Sequence, residues 1–156
     1  MNRPWLKFYD DNVILEPTYP ELTLPDILNR TVATYPDFIA TTMNDLDITY
    51  RELNGKVNGF AHALKRMGVK KGDRVALLLP NSPTYIIAFY GIVKLGAIVA
   101  NLNVMSQGSE LVRSLNGSGS EIVITLDIFL NNVVQIVEET AVREIVIHSV
   151  FNQEKE

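Results

Sequence analysis

The sequence predicts an α/β fold in which a mainly parallel sheet carries helices on both faces. Three observations predict it. Short apolar runs recur, as in "EIVIT" at 121–125 and in the continuously apolar Val75 to Leu79, and unbroken apolarity over so few residues marks a strand covered on both sides. Between these runs lie segments of roughly ten residues whose apolar side chains fall at helical spacing. Helix and strand alternate, which calls for crossover connections and parallel pairing.

Composition narrows the class. With 156 residues, 47% of them hydrophobic and 21% charged, the chain has the make-up of one globular domain with a real core. A net charge of −4 and scattered basic residues argue against nucleic acid as a partner, because phosphate binding asks for clustered Lys and Arg. There is no cysteine, so disulfides and thiolate sites are excluded, which fits a reducing compartment. The start, "MNRPWLKFYDDNV", lacks the apolar core of a secretory signal, and no run approaches a membrane span. The expectation is a cytoplasmic protein that is not integral to a membrane.

Each element has a local cause. Residues 1–22 carry Pro4, Pro17 and Pro20 among aromatics and acids and read as an extended arm. The α/β unit is expected over 23–150, with the polar residues 151–156 as a tail. Thr23 and Asp26 cap a first helix through Tyr35, stopped by Pro36; a short strand follows from Ile39 to Met43, then a turn at Asn44-Asp45. "ITYREL" at 48–53 opens the next helix with a capping box between Thr49 and Glu52 and a staple between Ile48 and Leu53. Such a cap contributes about 1 kcal/mol. A buried face must supply the rest, and Leu53, Val57, Phe60, Ala61, Leu64 and Met67 provide one before Gly68 ends the helix. At roughly 1.5–3 kcal/mol per fully buried large side chain, that face outweighs the cap several-fold.

The alternation continues downstream. Lys70 to Asp73 make a turn into the strand Val75 to Leu79, closed by Pro80. Ser82 and Pro83 start an apolar helix to about Lys94, followed by the strand "AIVANLN" from Ala97. A helix over about Glu110 to Leu115 precedes "EIVIT"; Asp127 caps a helix to about Thr140, and "REIVIHS" is a last strand.

Residue chemistry nominates no active site. "NGSGSE" at 116–121 is rich in Gly and Ser but leaves a helix and enters a strand, the reverse of a phosphate loop, and reads as a turn. His62 and His148 are isolated from each other and from acids at ligand spacing, so they do not make a metal site. Asp10 and Asp11 lie side by side on the arm, not opposed across a cleft. Lys70 and Lys71 read as solvated turn residues, and Tyr85, Phe89 and Tyr90 as packing on a helix too apolar to be exposed. Catalytic, cofactor-binding and metal residues are therefore each expected to be none.

Three linked blocks carry a resemblance. "LDITYREL", "GVKKGDRVALLLPNSPTYIIAFYGIVKLGAIVANLN" and "ELVRSLNGSGSEIVIT", in this order and spacing, resemble the N-terminal part of the adenylate-forming (AMP-binding) acyl-CoA synthetase superfamily, over about Leu22 to Ile147. Thr49 to Leu53 is similar to the family's first core motif, and Val93-Lys94-Leu95-Gly96-Ala97 to its second, where Lys-Ala-Gly-Ala is usual. Asn101-Leu102-Asn103-Val104 stands where family members commonly have Pro-Leu-Asn-Pro, and Ser120 replaces a usual alanine. Asn103 resembles acyl-CoA synthetases more than adenylation domains, and the "NSP" block, the spacing and the N-terminal arm look most like fatty acyl-CoA ligases. The resemblance implies the N-terminal subdomain of the acyl-CoA synthetase-like fold and a parent enzyme that joins a fatty acid to coenzyme A with ATP and Mg. It places the phosphate loop and the catalytic lysine downstream of these residues, so the chain alone is expected to bind none of these cofactors. Unpartnered sheet and helix surface would then drive self-association, as a homodimer or larger species. A free-standing α/β binding or regulatory module is the alternative expectation.

Overall fold

The computed structural model describes residues 3–14 and 16–149; the expected tail at 151–156 lies outside the described residues. In the arm, Pro4–Phe8 form a short 3-10 helix with no buried residue, and Arg3 pairs with Glu16 at 3.2 Å. The elements after the arm are α1 (Leu24–Thr34), β1 (Ile39–Met43), β2 (Leu46–Thr49), α2 (Tyr50–Arg66), β3 (Arg74–Leu78), α3 (Pro83–Lys94), β4 (Ile98–Asn101), α4 (Gly108–Ser118), β5 (Ile122–Leu126), α5 (Leu130–Val134) and β6 (Glu144–His148).

The continuously apolar runs are the inner strands. β3 pairs in parallel with β4 on one side and β5 on the other, and β5 pairs in parallel with β6, giving the order β4-β3-β5-β6. Successive side chains of a strand alternate between faces, and in β3 each face meets a different core. Val75 and Leu77 join Leu64 of α2 and Ala88 and Ile92 of α3. Ala76 and Leu78 join Leu111 and Leu115 of α4 and Val133 of α5. Every residue of β5 is buried for the same reason.

An outer layer lies beyond α2 and α3. There Leu28 of α1 packs with Leu53 and Val57 of α2, with Ile48, Ile86, Ile87 and Tyr90 alongside. This explains why α3 is apolar all round: one side faces the sheet and the other faces the outer layer. Tyr85, Phe89 and Tyr90 are packed as the sequence suggests, Tyr85 stacked on Phe89 with ring centroids 6.1 Å apart.

Two elements differ from the sequence reading. The Asn44-Asp45 turn, with φ of 52° and 61°, belongs to a two-residue hairpin, and the residues after it pair back as β2, with Met43 opposite Leu46. Positive φ at both central positions is the twist such hairpins need, and Asn and Asp tolerate it. The helix expected from Asp127 to Thr140 is broken into 3-10 turns at Asp127–Phe129 and Val137–Glu139 around the short α5. Asn131-Asn132 and the β-branched Val133, Val134, Ile136 and Val137 explain the break, since such residues lose conformational freedom in a helix or compete for its backbone bonds. Smaller differences are that the strand from Ala97 shortens to β4 and that α4 runs on to Ser118.

The helices α2 and α3 meet closely at Gly91. A Cβ there would lie 2.8 Å from Phe60 Cδ1 and 3.4 Å from the Ala61 backbone nitrogen. Gly91→Val is therefore expected to destabilise the chain by about 1–3 kcal/mol, the usual cost of overpacking. Urea unfolding followed by circular dichroism measures it.

Candidate functional site

In an open α/β sheet the crevice outside the C-terminal strand ends, where the strand order reverses, is the place for chemistry. Here that point lies between β3 and β5, because β3 is followed in space by β4 on one side and β5 on the other. The polar groups at this end are bonded to one another. Thr125, fully buried, donates its hydroxyl to the Leu78 carbonyl at 3.2 Å. Tyr85 donates to Asn101 Oδ1 at 3.0 Å, and Ser149 donates to Asp127 Oδ2 at 2.7 Å. The sequence reading missed the last two pairs. They join residues far apart in the chain, and only the parallel register brings the ends of β5 and β6 side by side.

The residues weighed from sequence are dispersed. His62 is exposed on α2 and His148 sits half-buried at the end of β6. Asp10 and Asp11 are exposed on the arm. Among the described residues no group of three His, Cys, Asp or Glu could hold a metal. "NGSGSE" is a helix end: Gly119 takes φ 63°, and Ser120 N–H returns to the Leu115 carbonyl at 3.3 Å, a Schellman closure. Lys70 and Lys71 sit in a turn fastened by the Lys70 N–H to Asp73 Oδ2 bond at 2.7 Å. A shallow cleft lined by Asp73, Arg74, Glu121 and Arg143 opens at the opposite, N-terminal end of the sheet, and the Arg143–Glu121 pair across it is half-exposed.

The two short motifs do come together. In the first, Thr49 and Glu52 form the full capping box: Thr49 N–H donates to Glu52 Oε2 at 2.8 Å and Glu52 N–H to Thr49 Oγ1 at 3.3 Å. The backbone bond from Thr49, then its hydroxyl, hold the Glu52 carboxyl below its usual pKa. Asp26 is lowered too, first by the Thr23 hydroxyl and then by the Thr23 backbone N–H. In the second motif, Lys94 Nζ reaches across to the helix opened by the first, donating to Asn54 Oδ1 at 3.1 Å and Asn58 Oδ1 at 2.6 Å, and to Asn29 Oδ1 on α1 at 3.3 Å. Partial burial pulls the Lys94 ammonium below the usual lysine value. This arrangement recognises an ammonium and fastens helices. It holds no nucleophile beside a base.

Comparison with known proteins decides the family. The model of the AMP-binding enzymes matches residues 28–156. The chain belongs to the AMP-binding enzyme family. It is 33% identical to a long-chain-fatty-acid–CoA ligase of Escherichia coli O157:H7 over 155 residues, covering 98% of this chain and 28% of that protein. It is 32% identical to the long-chain-fatty-acid–CoA ligase of Bacillus subtilis (strain 168) over 148 residues, 95% of this chain and 26% of the relative. Among solved structures, a fatty acyl CoA synthetase of Mycobacterium tuberculosis superposes with a TM-score of 0.75 at 30% identity, covering 80% of this chain and 26% of that one. The anthranilate CoA ligase AuaEII superposes with a TM-score of 0.76, also at 30% identity, over 80% of this chain and 24% of that one. The chain thus spans little more than a quarter of the curated relatives it matches, and its AMP-binding-type frame is the N-terminal α/β portion of such enzymes.

The capping box of this AMP-binding frame carries a pH dependence. A carboxyl whose folded pKa lies below its unfolded one adds stability that is present above the unfolded value and lost as pH falls through the folded one. Wild type is expected to exceed Glu52→Gln in urea midpoint at neutral pH, and the gap to close below about pH 3, under the usual Glu range. Paired unfolding curves at the two pH values check this.

Proposed function

We propose that these residues are the N-terminal portion of a fatty acyl-CoA ligase, with long- or medium-chain acids as its substrates. The observation that carries this reading is the match to long-chain-fatty-acid–CoA ligases along 95–98% of the chain. The reaction runs in two steps. The fatty carboxylate attacks the α-phosphorus of ATP, forming the acyl-adenylate and releasing pyrophosphate; the thiol of coenzyme A then attacks the acyl carbon, forming the thioester and releasing AMP.

Catalysis of such an adenylyl transfer is positioning plus charge stabilisation, supplied by groups aimed at the polyphosphate and its Mg ion. In this chain the Gly- and Ser-rich stretch 116–121 closes a helix, Ser82 caps one, and Lys70 and Lys71 fill a turn. On this reading residues 1–156 provide the scaffold, the remaining machinery is contributed by sequence beyond them, and the protein works in the cytoplasm. The arm, 1–22, is a separate segment from the α/β subdomain over 23–150.

Two outcomes test the reading. The purified chain is expected to give no fatty-acid-dependent exchange of labelled pyrophosphate into ATP; turnover by these residues alone refutes it. Exposed apolar side chains on α1 and the segment after it, Leu24, Ile27, Tyr35, Phe38 and Ile39, are expected to drive self-association. Multi-angle light scattering should find dimers or larger species, and a clean monomer at high concentration counts against an incomplete surface.

A further inference from the structure

Lys94 occupies an unusual setting. An ammonium has three donors and no acceptor, and here all three are matched by side-chain amide oxygens, those of Asn29, Asn54 and Asn58. None of the three is a carboxylate, so the arrangement fixes direction without neutralising charge. Asn54 and Asn58 stand four residues apart on α2, which places them on one helix face. Lys94 is the last residue of α3, where a cation also complements the helix dipole. Among the described residues no other hydrogen bond joins α3 to α1 or α2.

The helix on the receiving end needs such a bond. Leu28 is the single buried residue of α1. Elsewhere on the helix Leu24 and Ile27 are exposed, and beyond its end so are Tyr35 and Phe38, whose rings meet edge-to-face at 5.4 Å. A helix anchored by Leu28 with only the partly buried Val32 beside it sits toward the low-stability end of a fold and opens early. The α2–α3 pair has a far larger apolar contact and stays closed without help.

We propose that Lys94 is a stitch that holds α1 as a strap on the body: Asn54 and Asn58 aim the ammonium, and its remaining donor fixes Asn29. The two motifs by which this chain resembles its family, the "TYREL" start and the "VKLGA" turn, are then one contact, since the lysine of the second is seated by the helix of the first. Loss of the stitch opens α1 locally and leaves the parallel sheet intact. Arginine is a poor replacement, because a planar guanidinium cannot direct three donors into a cradle built for an ammonium.

Hydrogen exchange with mass spectrometry on the whole chain tests this, comparing wild type with Lys94→Met and Asn29→Ala. In both variants amides of α1 are expected to exchange at least tenfold faster, while those of β3 and β5 keep wild-type rates. Unchanged α1 exchange overturns the proposal. Equal acceleration in α1 and in the sheet also overturns it, because Lys94 would then be a general contributor to stability. Asn29→Ala trims an exposed side chain and spares the α2–α3 contact, so it decides the matter even where Lys94→Met does not fold. Asn58→Leu, which removes the 2.6 Å partner, is expected to reproduce the Lys94→Met pattern, and wild-type behaviour there would sink the aiming role.

Discussion

The rest of the structure depends on the burial of β3 on both faces. Val75 to Leu78 are each at most 1% exposed, and a four-residue run with no polar side chain to offer water must be covered above and below. That requirement recruits α2 and α3 to one face and α4 and α5 to the other. It also demands that the strand's backbone groups be paired along both edges, which β4 and β5 do in parallel register. The outer layer follows in turn, because α3 is apolar on the side the sheet does not use.

Where sheets of this class bind ligands, at the strand ends around a reversal of order, the present chain places mutually satisfied pairs: Thr125 with Leu78, Tyr85 with Asn101, Asp127 with Ser149. Among the described residues no buried side-chain nitrogen or oxygen is left without a partner.

Much of the frame was legible in the sequence, and the reasons are local. Capping boxes at Thr23 and Thr49, Ser82 ahead of Pro83, and unbroken apolar runs each report a short-range or whole-environment constraint, and each stands where it was read. β2 escaped notice because Leu46 to Thr49 is short and largely exposed, and only its pairing with β1 makes it a strand. The stretch after Asp127 kept its apolar contacts through Val133, Ile136 and Val137 but not its helix, so periodicity there reported burial and overstated regularity. The Lys94 cluster joins residues from 29 to 94 that no spacing rule connects; the four-residue gap between Asn54 and Asn58 was its one trace in the sequence.

The parallel register of β3 and β5 has a consequence for how the molecule is made. Their partners are separated by 47 residues, as in the bond from Thr125 to Leu78, with a helix, a strand and another helix between them. The β1–β2 ribbon can close within moments of synthesis, whereas the central ladder has to await the later half of the chain. Pairings so remote form slowly, and apolar strands are left uncovered in the meantime. During that interval a newly made chain is exposed to aggregation and to capture by chaperones.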